Sequence, residues 1–146
     1  MPRFARCVFA VFLAVSCLSS SLTCQAAAPE TAAAAFILME AGSGRALASR
    51  NETQERSIAS TTKIMTALVV LEHCALDEPV EILPEYTAVE GSSMYLRAGK
   101  TYTVEELLYG LMLVSGNDAA IALACHTAGS VAAFAGMMND KARAPA

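Results

Sequence analysis

The stretch Ala59-Ser-Thr-Thr-Lys-Ile-Met-Thr-Ala-Leu-Val-Val-Leu-Glu-His73 opens polar and turns apolar within one helical turn. From Thr61 to His73 the residues Ile64, Met65, Leu68, Val69 and Leu71 recur at helical spacing, with Ser60 placed to cap the helix start. Ala67 and Val70 fill other faces, so this helix is expected to be buried nearly all round. Ser60 and Lys63 stand one turn apart on the same side. A hydroxyl at a helix start sits where unpaired backbone N–H groups and the helix dipole favour developing negative charge. A lysine opening an apolar helix is one that burial can turn into a usable base. The plain alternative is a capping serine beside an exposed lysine, and these residues alone leave both readings open.

Working outward, Phe36-Ile-Leu-Met39 reads as a strand, Gly42-Ser43-Gly44 as a turn, and Arg45 to Ser49 as a partner strand, giving a hairpin. Asn51 to Ser57 is a polar loop. Downstream, Leu76 to Lys100 carries Pro79, Pro84, Gly91 and Gly99 and reads as loops with short extended pieces. Thr103 with Glu106 three residues later is a capping box, followed by the apolar face Leu107, Leu108, Leu111 and Met112. Ser115-Gly116-Asn117 interrupts the pattern as a tight turn. A helix from Asp118 to Thr127 follows, Gly129 closes it, and Ser130 caps a last helix toward Arg143.

The chain has 146 residues, of which 55% are apolar and 16% charged, enough for one folded domain and incompatible with disorder as the dominant state. Its net charge of −4 with no basic run excludes nucleic acid as a partner. Arg3 and Arg6 precede the uncharged run Cys7 to Leu18 and a Ser-rich end. That is the layout of a secretory signal over residues 1–26, too short to span a bilayer, and it predicts an exported, envelope-located protein. Residues 27–35 read as a leader. Cys74 and Cys125 then remain in the mature chain. They lie roughly 21 and 15 Å down separate helices from Ser60 and Ser115, so free thiols are expected. A metal set of His73, Cys74, Cys125 and His126 is disfavoured because adjacent helical residues diverge by about 100°, so no metal site is expected.

Four blocks in series carry a resemblance: Phe36 to Arg45, Ala59 to Thr66, Gly91 to Leu96, and Val114-Ser-Gly-Asn-Asp-Ala-Ala120. Over about residues 34–143 the chain resembles the low-molecular-mass penicillin-binding proteins, and more narrowly the serine-type D-alanyl-D-alanine carboxypeptidases. The resemblance implies an α/β (α+β) fold, a sheet flanked by helices plus an all-helical part, with residues 36–146 forming its N-terminal portion. It implies that Ser60 is the acylated nucleophile, Lys63 its general base, Ser115 the hydroxyl passing a proton to the leaving D-alanine, and Asn117 the amide holding the lysine and the substrate. The implied substrate is a peptidoglycan stem peptide ending in D-Ala-D-Ala, with beta-lactams as inhibitors and no cofactor.

The sequence also departs from that pattern. The third motif, Lys-Thr-Gly, is absent: Lys100-Thr101 is followed by Tyr102 and precedes Ser115. Ile58 stands where the family often has Pro. The chain reads as truncated at the C-terminus, so these residues alone are expected to be inactive. Peripheral membrane association through the missing C-terminal sequence belongs to the same set of expectations. Two other classes stay open. One is a beta-lactamase-like hydrolase, against which stands the lack of a deacylating Glu from Asp118 to Ala146. The other is a non-catalytic penicillin-binding pseudoenzyme.

Overall fold

The computed structural model describes residues 30–144; the expected secretory signal and the first part of the leader lie outside the described residues. The chain divides into two compact units between Glu55 and Arg56. In the first, β1 (Phe36–Met39) pairs antiparallel with β2 (Ala46–Arg50), Phe36 opposite Arg50, with a register shift between Leu38 and Met39. The expected hairpin is therefore present. Glu40 folds its own turn, its carboxylate accepting the N–H groups of Gly42 at 2.8 Å and Ser43 at 2.7 Å. The Arg50 guanidinium lies 5.4 Å from the centre of the Phe36 ring, within cation–π range.

In the second unit a single 3₁₀ turn (Ala59–Thr61) leads into α1 (Thr62–His73). There follow β3 (Pro79–Glu81), the short α2 (Pro84–Thr87), β4 (Thr101–Thr103), α3 (Val104–Leu113), α4 (Asn117–Ala128) and α5 (Val131–Arg143). β3 pairs antiparallel with β4. The stretch from Leu76 to Lys100 thus contains the extended piece expected of it and one helical turn, which starts at Pro84, where the fixed φ suits a first helical position. The local signals further on hold. Thr103 Oγ1 accepts the Glu106 N–H at 3.2 Å while the Glu106 carboxylate accepts the Thr103 N–H at 2.8 Å. Gly129 ends α4 at φ +77, and Ser130 Oγ accepts the Ala133 N–H at the start of α5.

α4 is the axis of this unit and packs against α1, α2, α3, α5 and β3. Ala119, Ala122 and Ala124 keep its surface low, so neighbours approach closely, and Leu123 fills the centre among Val69, Val70, Ile82, Leu107, Leu111 and Phe134. Burial of each large aliphatic chain contributes about 1.5–3 kcal/mol. α1 corrects the expectation of all-round burial. Thr66, Val69 and Val70 are buried, but Ile64, Leu68 and Leu71 are 53%, 44% and 53% exposed. Among the described residues, only the face turned to α3, α4 and α5 is covered, and an apolar composition does not say how many neighbours a helix has. Ser60 is also corrected: it lies inside the 3₁₀ turn, and neither that turn nor α1 has a side-chain cap.

Candidate active site

Freed from capping, the Ser60 hydroxyl faces solvent at the entrance of α1. Ala59 before it holds φ at +46, a left-handed conformation that costs a non-glycine residue on the order of 1 kcal/mol or more. Tyr95 at φ +61 and Ser115 at φ +58 share this strain in the other two segments that build the site. Lys63, half-buried in the first turn of α1, brings its Nζ to 3.5 Å from Ser60 Oγ and donates to Asn117 Oδ1 at 2.8 Å. Asn117 is the first residue of α4. Its Nδ2 donates to the Glu90 carbonyl at 2.7 Å, and its backbone N–H donates to the Ser92 carbonyl at 2.8 Å. These partners fix which end of the amide faces the lysine. Gly91 makes the approach feasible: it sits at φ +84, and a Cβ there would lie 3.1 Å from Asn117 Nδ2.

Ser60, Lys63 and Asn117, far apart in sequence, thus meet in one cleft of about 370 Å³, which Ala59, Thr62, Thr66 and Ala120 complete. Ser115 is close in sequence but is bonded to none of the three; its Oγ is buried and has no hydrogen-bond partner among the described residues. A hydroxyl, an amine beside it and an amide orienting that amine are the parts of nucleophilic catalysis. Catalytic hydrogen bonds in ligand-free sites are often long, and 3.5 Å is such a length.

The residue that sequence reading missed is Asp118, fully buried in the first turn of α4. It accepts the Ser93 hydroxyl at 2.6 Å and the backbone N–H groups of Met94, Leu96 and Ala119, each at 3.0 Å. Burial pushes its pKa up, but these hydrogen bonds outweigh that and hold the carboxyl below its usual range. Asp118 therefore pins the segment 93–96, which continues the loop carrying the partners of Asn117. Its one signal in the sequence was an acid placed at the head of an Ala-rich helix. Gly116 allows the packing: a Cβ would lie 2.8 Å from Asp118 Oδ1 and 3.3 Å from both the Gly110 carbonyl and the Met94 nitrogen. Gly116→Ala is expected to destabilise the protein by about 1–3 kcal/mol, read as a lowered urea midpoint, because two of those neighbours are backbone and cannot rotate away.

The sequence profile described as peptidase S11, D-alanyl-D-alanine carboxypeptidase, matches residues 22–145. The chain belongs to the D-alanyl-D-alanine carboxypeptidase family. It is 39% identical over 128 residues to D-alanyl-D-alanine carboxypeptidase DacC of Escherichia coli (strain K12), a match covering 80% of this chain and 32% of that protein. The crystal structure of D-alanyl-D-alanine carboxypeptidase from Mycobacterium tuberculosis H37Rv superposes with a TM-score of 0.77 at 35% identity, over 82% of this chain and 45% of that one. Penicillin binding protein 6B from Escherichia coli superposes with a TM-score of 0.74 at 35% identity, over 82% of this chain and 41% of that one. The α+β class of this D-alanyl-D-alanine carboxypeptidase family member is thereby established. The chain spans about a third to a half of the length of the curated relatives it matches.

Proposed function

We propose that the protein to which these residues belong is an exported serine-type D-Ala-D-Ala carboxypeptidase acting on peptidoglycan stem peptides, and that beta-lactams acylate the same site. The observation that carries this reading is the Ser60–Lys63–Asn117 chain, opening into a cleft within a chain of this family. Ser60 Oγ attacks the penultimate D-Ala carbonyl while Lys63 accepts its proton, with Asn117 holding the lysine through Oδ1. Collapse of the tetrahedral intermediate breaks the peptide bond. The leaving D-alanine amine takes a proton through Ser115, whose unpartnered Oγ is available for that transfer. Water then hydrolyses the acyl-enzyme and regenerates Ser60. Residues 1–26 serve as the secretory signal in this reading, and residues 36–146 supply these four groups to the peptidase domain.

The test is release of D-alanine from a D-Ala-D-Ala peptide by the full-length protein, together with covalent labelling by a fluorescent penicillin. Both are expected. Labelling without release would favour the non-catalytic reading, and rapid turnover of penicillin itself would favour a beta-lactamase.

A further inference from the structure

Three side chains that metal ions favour converge where α1 ends, away from the cleft. Cys74 follows the last residue of α1, Glu78 lies just before β3, and His126 stands in the last turn of α4. One ligand atom from each (the Cys74 sulfur, a Glu78 carboxylate oxygen, a His126 ring nitrogen) lies within 4.8 Å of the other two. His126 Nε2 and Glu78 Oε2 are already 3.0 Å apart, with the two side chains 26% and 41% exposed. The remaining Glu78 oxygen accepts the Ala75 N–H at 2.6 Å, which holds the carboxylate in place from behind. Cys74 Sγ lies 3.3 Å from Thr127 Oγ1, an outer partner for the sulfur.

A thiolate, an imidazole and a carboxylate with solvent on one side suit Zn²⁺, which takes such donors tetrahedrally and completes its shell with water. Zinc–ligand bonds of about 2.0–2.3 Å place neighbouring donors roughly 3.5 Å apart, so donors within 4.8 Å of one another close by at most about 1.3 Å, a side-chain adjustment. We propose that Cys74, Glu78 and His126 bind a divalent ion of the zinc type, tying the C-terminal ends of α1 and α4 to the segment that enters β3. Cys74 loses its thiol proton on binding, and the charge of the ion is balanced by the two anionic ligands. Lys63 and Asn117 open the same two helices, so the ion clamps the far ends of the elements that carry the cleft, roughly 14–17 Å along the helices from those two residues. It has a stabilising role and no part in the reaction. Pairing each cysteine with its adjacent histidine hides this site in the sequence. The fold takes one residue from each pair and adds Glu78.

The experiment is a Co²⁺ titration of the reduced, metal-free, full-length protein. A thiolate-to-cobalt charge-transfer band in the near ultraviolet and intense visible bands are expected to saturate at a single equivalent and to be bleached by Zn²⁺. Cys74→Ser is expected to abolish the charge-transfer band and Cys125→Ser to leave it intact. Glu78→Gln, a milder change at a solvent-facing side chain, is expected to weaken binding by more than the roughly 10–100-fold that loss of an outer hydrogen-bond partner costs. Zn²⁺ should raise the melting midpoint of the parent protein and not that of Cys74→Ser. A band that survives Cys74→Ser, an affinity unchanged in Glu78→Gln, or a parent protein with neither band nor midpoint shift would overturn the proposal.

Discussion

Replacing Ser60 with Ala in the full-length protein is expected to abolish penicillin labelling and to lower D-alanine release on the order of 10⁴–10⁶-fold. At about 1.4 kcal/mol per factor of ten this is a loss of roughly 5–8 kcal/mol of transition-state stabilisation. The size follows from the nucleophilic role proposed for the hydroxyl: among the described residues the hydrogen-bond partners of Lys63 are Ser60 Oγ and the oriented Asn117 amide, and no other hydroxyl is bonded to it. Lys63→Ala is expected to cost a comparable factor, because an unactivated serine is a weak nucleophile. Groups that act in a single step are not additive, so the Ser60→Ala, Lys63→Ala double variant should be no worse than the poorer single one. Steady-state release assays on the three variants check this. Multiplication of the two single losses in the double variant would show that the serine and the lysine do not act together.

Asp118→Ala is expected to destabilise the protein by about 3–5 kcal/mol, a large share of a domain's usual 5–15. The substitution removes the acceptor for three backbone N–H groups and one hydroxyl at a buried position, and each donor that stays stranded after the hydroxyl rotates away and water enters the vacated space costs about 1–3 kcal/mol. The effect carries a pH signature. The folded-state carboxyl ionises at lower pH than it does in the unfolded chain. Its contribution is therefore complete above the ordinary carboxylate range, near pH 4, and declines as pH falls below that toward the depressed folded value. Urea unfolding of parent and variant should show the full gap at neutral pH and a narrower gap in acid. A gap that is small at neutral pH, or that widens in acid, would show that the carboxylate is not held as an anion by these four donors. Activity should fall with stability, since the 93–96 segment continues the loop that presents the Glu90 and Ser92 carbonyls to Asn117.

The parts of the molecule legible in the sequence are those whose energetics are local. The Thr103–Glu106 capping box, the glycine that ends α4 and the serine that caps α5 each act within one helical turn. All three stand where the residue pattern put them. The hairpin around Gly42 to Gly44 is local in the same sense, although the register shift beside Met39 is not. Ser60, Lys63 and Asn117 were named because short motifs in series resemble a known family. The bare spacing also allowed a capping serine and an exposed lysine.

Four features were not written in the local residue pattern. Ser60 is released from capping because the chain enters α1 through a strained 3₁₀ turn, with Ala59 at φ +46, a conformation its residue type disfavours. Asp118 became a buried anion because donors from 93–96 close around it, and an acid early in a helix reads equally well as a surface charge favoured by the helix dipole. The exposed half of α1 and the convergence of Cys74, Glu78 and His126 both depend on which helix ends become neighbours. Helix periodicity tells which side of a segment is apolar. It carries no term for what lies opposite, because burial and ligand geometry are properties of pairs of segments, and those pairs are set only when the core closes around α4.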